Sequence, residues 1–227
     1  DLAACNAAWP LVAFGLHVLK LVLKRHFGFS HALAVYSGRR GAHLSVFDKR
    51  ACELSNEARS AIVAFLQPSG SAGRPLFDSL IGSHCFARIY KENVLVFWES
   101  ICLSPRGEGG LGVLDTKRDR DDFVACLNCS ERSNPLCLAA VSGAAAWSCV
   151  LEYVRNARFR PDAEKKLKRA VLTYVWPRLD ANVTKQIGHL SKVVFSVHPA
   201  TGLVCVPIRD LTRFDPKRCP SVRGLLA

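Results

Sequence analysis

The residues best suited to chemistry stand in the run Tyr36-Ser37-Gly38-Arg39-Arg40-Gly41-Ala42-His43, between the short apolar stretches 33–36 and 44–47. Apolar run, glycine-bearing turn and apolar run together predict a β-hairpin whose loop carries two arginines. Arginine presents a planar fork of donors that matches phosphate oxygens bidentately, and glycine removes the Cβ that would hold the backbone away from a ligand. Ser37 and His43 add a neutral and a switchable donor. Such a loop suits a phosphate group. The competing reading is a solvated hairpin tip with both arginines in water.

A second stretch, Pro177-Arg178-Leu179-Asp180-Ala181-Asn182-Val183-Thr184-Lys185, continues through Ile187-Gly188-His189-Leu190-Ser191-Lys192 to Phe195-Ser196-Val197-His198-Pro199. Taken alone, Asp180 reads as a helix cap, a role for which Asn182 and Thr184 compete, and His43 and His198 read as structural histidines. Taken together and in this order, the two stretches resemble the small, catalytic subunit of eukaryotic and archaeal DNA primase, over about residues 5–66 and 173–215. The middle of the chain shows little of the resemblance.

The resemblance implies a DNA-templated RNA polymerase that starts chains de novo by nucleotidyl transfer, assisted by a pair of magnesium or manganese ions. Asp180 stands where primases keep the third of three catalytic, metal-holding aspartates. Ser37, Arg39, Arg40 and His43 on the first hairpin, with Lys192 and His198 from the second stretch, would grip the triphosphate, and Arg178 would steady a phosphate or the carboxylates. The family's other two aspartates form an Asp-x-Asp pair upstream of the helix that Trp9 begins. The Asp119-Arg120-Asp121 found here lies in the wrong order along the chain. A structural zinc also belongs to the family just ahead of that helix. Here Cys5 takes a ligand's place, but Ala8 stands at the last ligand and cannot donate to zinc. The implied partners are a large iron–sulfur primase subunit, a replicative DNA polymerase, a single-stranded DNA template and ribonucleoside triphosphates, in the nucleus and without a membrane. A reading of another class stays open: a non-catalytic nucleotide- or nucleic-acid-binding module.

The elements that must position these residues can be read from the same sequence. Apolar residues from Trp9 onward, with Lys20, Lys24 and Arg25 at the end, predict a core helix stopping near Gly28. Its apolar run holds Pro10, His17 and Lys20 and is short for a bilayer, so neither a signal peptide nor a membrane span is expected. Leu54-Ser55-Asn56-Glu57 opens a helix to about Leu66 with Ile62, Val63, Phe65 and Leu66 inward, and Pro68 to Gly73 ends it as a linker. Val94-Leu95-Val96-Phe97-Trp98 suggests a strand, and the mixed-sign run Lys117 to Asp122 suggests a solvated face. A basic helix is expected over about 161–175, with Leu167, Val171 and Leu172 buried. A short helix over 183–190 is expected next, and then a second hairpin from 193–197 to 203–208. The fold class is therefore α+β: a primase–polymerase core on a mainly antiparallel sheet with flanking helices, in two pieces at 1–66 and 173–227, around a partly helical insertion at 67–172.

Composition is consistent with this. The 227 residues are 49% hydrophobic, enough for a sizeable core and against disorder of the whole. A formal net charge of +12 draws in polyanions. The 10 cysteines have no framework spacing and fit reduced thiols; Cys126-Leu127-Asn128-Cys129, with Cys137 and the upstream His84 and Cys85, could hold zinc or be ordinary thiols. With no methionine and an opening Asp1-Leu2-Ala3, the sequence reads as a piece of a longer product.

Overall fold

The computed structural model describes residues 6–67, 77–127, 142–156, 162–189 and 192–226. The chain divides into two compact units, one formed by Asp1–Gln67 with Pro177–Ala227 and the other by Pro68–Trp176.

In the first unit, helix α1 (Trp9–Val22) starts with proline in its first turn and buries Trp9, Phe14, Leu16, Val18, Leu19 and Val22. It runs on as a wider π turn over Leu23–Phe27, where Lys24, Arg25 and His26 face the negative end of the helix dipole. Gly28, at φ 72°, closes it. Strands β1 (Ala32–Tyr36) and β2 (Ala42–Val46) pair antiparallel with Tyr36 opposite Ala42, which leaves residues 37–41 as the loop. The third strand, β3 (Pro207–Ile208), adds to the other edge of β1, so the sheet order is β2-β1-β3 and the sheet is antiparallel throughout. Trp9, Leu16, Ala34, Tyr36 and Ile208 form the core between α1 and the sheet. Trp9, Tyr36 and Phe214 meet ring to ring at 4.9–5.6 Å, a geometry contributing about 0.5–1.5 kcal/mol per pair beyond area burial.

Helix α2 (Asn56–Leu66) begins where the sequence predicts: the Ser55 hydroxyl accepts from the Ala58 N–H at 3.3 Å. At the base of the hairpin, Asp48 accepts from the N–H groups of Ser30 (3.0 Å) and His31 (2.9 Å) and pairs with His31 Nδ1 (3.1 Å). These bonds, that from the Ser30 N–H above all, hold its carboxyl down at about 2.

The second unit is helical. Trp98, Phe123, Trp147 and Tyr174 pack together with ring centroids 5.5–6.4 Å apart. They come from the helical run over 84–102 and from α3 (Lys117–Leu127), α4 (Gly143–Asn156) and α5 (Ala163–Val175). Asp78 takes Arg169 and Lys165 of α5 as ion-pair partners.

The run 117–122 is the solvated face expected, on the opening turns of α3, and Arg120 within it donates to the carbonyls of Leu114 (3.0 Å) and Asp115 (2.8 Å). Three expectations need correction. Residues 94–98 are helical, not a strand: Val94 and Trp98, four apart on one face, are fully buried while Val96 is exposed. The helix expected over 183–190 is α6 (Ala181–Lys185), earlier and shorter. The second hairpin makes a single bridge, Val197 to Val204, because Phe195 and Ser196 bulge out of register and β3 turns away to pair with β1. The Pro68–Gly73 linker, Pro161, Cys129 and Cys137 lie outside the described residues. No helix among the described residues is long and apolar enough to cross a membrane.

Because the carboxyl of Asp48 is depressed in the folded chain, its contribution is present above the unfolded value near 3.8 and fades as pH falls toward about 2. Acid titration of thermal stability should therefore show a steeper loss between these values for the parent than for Asp48→Asn. Equal slopes would contradict the anchoring role.

Candidate nucleotide-binding site

The loop at 37–41 is held from three directions. The Ser37 N–H donates to the Gly41 carbonyl at 2.9 Å, the Gly41 N–H returns to the Ser37 hydroxyl at 3.2 Å, and the Tyr36 hydroxyl donates to the Arg39 carbonyl at 3.1 Å. Gly38 sits at φ 81°, where a Cβ would lie 2.8 Å from the His198 Cβ and 3.1 Å from the Leu203 carbonyl. This glycine is required by backbone conformation and by space. Gly41 is not: beyond its chain neighbours, a Cβ there meets nothing within 4 Å.

The second stretch docks on that loop. The Thr201 hydroxyl donates to the Gly38 carbonyl at 2.7 Å, and the buried Cys205 thiol donates to the Ser37 carbonyl at 3.4 Å. His198 is fixed by its own N–H to the Leu203 carbonyl (2.8 Å) and by the Ala200 N–H, which donates to His198 Nδ1 at 3.3 Å. With Nδ1 accepting, the neutral imidazole carries its proton on Nε2 as a donor. Loss of solvent lowers the His198 pKa first, and Lys192 and Arg39 push the same way. Burial also lowers that of His43, with Lys192 adding to the shift and Asp180 opposing it. Arg39, His43, Asp180, Lys192 and His198 thus share one electrostatic neighbourhood. Arg40 and Arg178 are exposed, on the loop and just ahead of Asp180 respectively. Among the described residues, Arg39, Arg40, Arg178 and Lys192 form no ion pair with a carboxylate.

Asp180 is exposed and caps α6, its Oδ1 accepting from the Asn182 N–H at 3.1 Å. Two contacts set its position. Gln67 Nε2 donates to the Leu179 carbonyl at 3.1 Å, and Pro177 seats against Gly15 of α1, where a Cβ would come within 2.9 Å. Tyr36, Thr201, Cys205, Gln67 and Gly15 were not singled out from the sequence as parts of the site. A glycine inside an otherwise good helix pattern was the one available signal, for Gly15.

The donor set for metals is thin. No group of three or more His, Cys, Asp or Glu side chains among the described residues could hold an ion. Among the described residues, the carboxylate that acts on the histidines of the site is Asp180, already engaged as a cap. The described residues do not by themselves fit a pair of divalent ions. Cys5 lies outside the described residues, and Cys126 has its thiol pKa raised by burial and by Asp122, which leaves it protonated.

A half-buried loop that presents forked and switchable donors beside further cations has the chemistry to receive a polyphosphate. Residues 1–210 match the family of the DNA primase small subunit, and the chain belongs to that family. The matched span includes residues 67–172. The chain is similar to the DNA primase small subunit of Schizosaccharomyces pombe, 34% identical over 98% of this chain and 51% of that protein. It is 28% identical to the one from Drosophila melanogaster (98% and 54%) and 27% identical to the one from Saccharomyces cerevisiae (97% and 56%). The chain spans about half the length of these relatives.

The two glycines separate structure from binding. Gly38→Ala should lower stability by about 1–3 kcal/mol, from positive φ and the clash with His198. Gly41→Ala should leave the melting temperature unchanged yet weaken triphosphate binding, by filling space a ligand needs. Calorimetric melting and binding on both variants check this, and a Gly41→Ala that binds as the parent does would contradict it.

Proposed function

We propose that this chain carries the triphosphate-gripping part of a DNA primase small subunit, a DNA-directed RNA polymerase that lays down short RNA primers for DNA replication. The observation that carries the reading is the docking of the second stretch on the arginine loop, His198 against Gly38 and Thr201 on the Gly38 carbonyl, with Arg39 and Lys192 acting on His198 and no carboxylate paired to those cations among the described residues. When an incoming nucleotide is joined, pyrophosphate leaves and charge builds on the phosphate oxygens. Preorganised donors aimed at those oxygens lower the barrier without reorganising. Arg39 and Arg40 would supply the forks, Lys192 a point charge, Ser37 and the two neutral imidazoles hydrogen bonds, and Arg178 a further cation to steady a phosphate or the carboxylates.

The family works with divalent metal ions, here magnesium or manganese; such an ion would polarise the phosphate and the attacking hydroxyl. Asp180 is the carboxylate this chain would offer such an ion, with the remaining ligands to come from elsewhere in a longer protein. The proposed partners are a primase large subunit, a replicative DNA polymerase, a single-stranded DNA template and ribonucleoside triphosphates, and the proposed site of action is the nucleus. The names of the relatives and the basic charge support this. The bare donor set around Asp180 favours, for the isolated chain, nucleotide binding without catalysis.

Asp180→Asn in a full-length protein containing this sequence is the test, because asparagine keeps the α6 cap while removing the charge. Thermal stability should stay within about 0.5 kcal/mol of the parent while dinucleotide synthesis is abolished. Synthesis within a few-fold of the parent would contradict the catalytic reading and leave Asp180 as a cap.

A further inference from the structure

Phe195 is the described residue whose conformation the fold has least reason to choose. Its φ of 68° places a bulky side chain in the left-handed region, and apart from Phe77 no other described non-glycine residue has positive φ. The cause is local. The Phe195 N–H donates to the Cys205 carbonyl at 2.7 Å while the Cys205 N–H donates to the Ser196 carbonyl at 2.8 Å, so two residues stand opposite one. That is a β-bulge of the kind that places glycine at its first position, and here the position holds phenylalanine. The bulge turns the ring outward: Phe195 is 71% exposed, flanked by Val193 at 70% and Val197 at 43%. A glycine would relieve the backbone and spare the solvent an aromatic ring. Retaining the phenylalanine serves neither folding nor solubility.

The surroundings say what the ring is suited to. Cys205, which sets the bulge, also holds the Ser37 carbonyl of the arginine loop. Lys192 and His198 lie three residues to either side, and Lys192 and Arg39 both act on His198. An exposed aromatic ring beside cations that are unpaired among the described residues is the combination that binds single-stranded nucleic acid, the cations tracking phosphates while a base stacks on the ring.

We propose that Phe195 is a stacking platform for an unpaired nucleobase of a strand running past the cation cluster. The proposal rests on the reading of that cluster as a nucleotide-polymerising site and adds to it where a strand base sits. Stacking is indifferent to base identity, so the platform takes any base, and the cations hold the strand by its backbone.

The test uses fluorescence anisotropy at low salt with an oligothymidylate of about 15 nucleotides and an abasic oligomer of the same length. The variants are Phe195→Gly and Phe195→Trp, with ATP binding measured alongside. The parent should prefer the thymidylate. Phe195→Gly should weaken thymidylate binding about 5- to 100-fold and leave the abasic oligomer and ATP unaffected, with a melting temperature equal to or above the parent's because the positive φ is relieved. Phe195→Trp should retain the preference. Unchanged thymidylate binding by Phe195→Gly overturns the proposal, as does a parent with no preference for bases. A loss of ATP affinity instead would assign the ring to the base of the bound nucleotide and equally overturn it. A parent that binds no ATP would count against the triphosphate site itself, whereas intact ATP binding with no effect of Phe195→Gly would count against the platform alone.

Discussion

One close backbone approach holds the site together. Gly38 and His198 are separated by most of the chain, yet no side chain fits between them, and the Thr201 hydroxyl closes the same contact by bonding the Gly38 carbonyl. Because Gly38 is at positive φ, the loop direction that carries Arg39 and Arg40 is fixed at the point where the loop meets the second stretch. The Cys205 thiol to the Ser37 carbonyl and the pairing of β3 with β1 extend that seam into the sheet. The arginines are thereby presented from a rigid element although they occupy a loop.

The electrostatics follow from that geometry. Bringing Arg39 and Lys192 near two histidines is unfavourable in the absence of an anion, and the fold tolerates it because the groups remain partly solvated and the imidazoles stay neutral rather than charging. The arrangement is a preorganised deficit of negative charge, which the proposed triphosphate would offset. The formal charge of +12 extends this field over the chain and supports encounter with polyanions.

How much of this was legible in the sequence depended on whether the cause was local. Helix α1 could be read because its apolar run, trailing cations and Gly28 are each local signals, and α2 could be read from the Ser55 cap. The 94–98 run misled because a short apolar stretch has no period that separates a strand from a buried helix; Val94 and Trp98 show the helical spacing only once their partners Phe123 and Trp147 are known. The second hairpin was overextended because a bulge with phenylalanine in place of glycine leaves no sequence mark. Within the site, the donors of the arginine loop stood out by residue type and Lys192, His198, Arg178 and Asp180 through the family resemblance, but Thr201, Cys205 and Gln67 act through single hydrogen bonds to distant carbonyls, which no spacing rule reports.

The central claim is that the loop and the second stretch form one polyphosphate-binding surface, and mapping amide resonances while titrating the chain with ATP, and separately with adenosine, tests it most directly. The account predicts that ATP shifts the amides of Ser37 to Ala42 together with those of Lys192, His198 and Thr201, and that adenosine leaves them in place. ATP shifts confined to one of the two stretches, or equal shifts with adenosine, would contradict it.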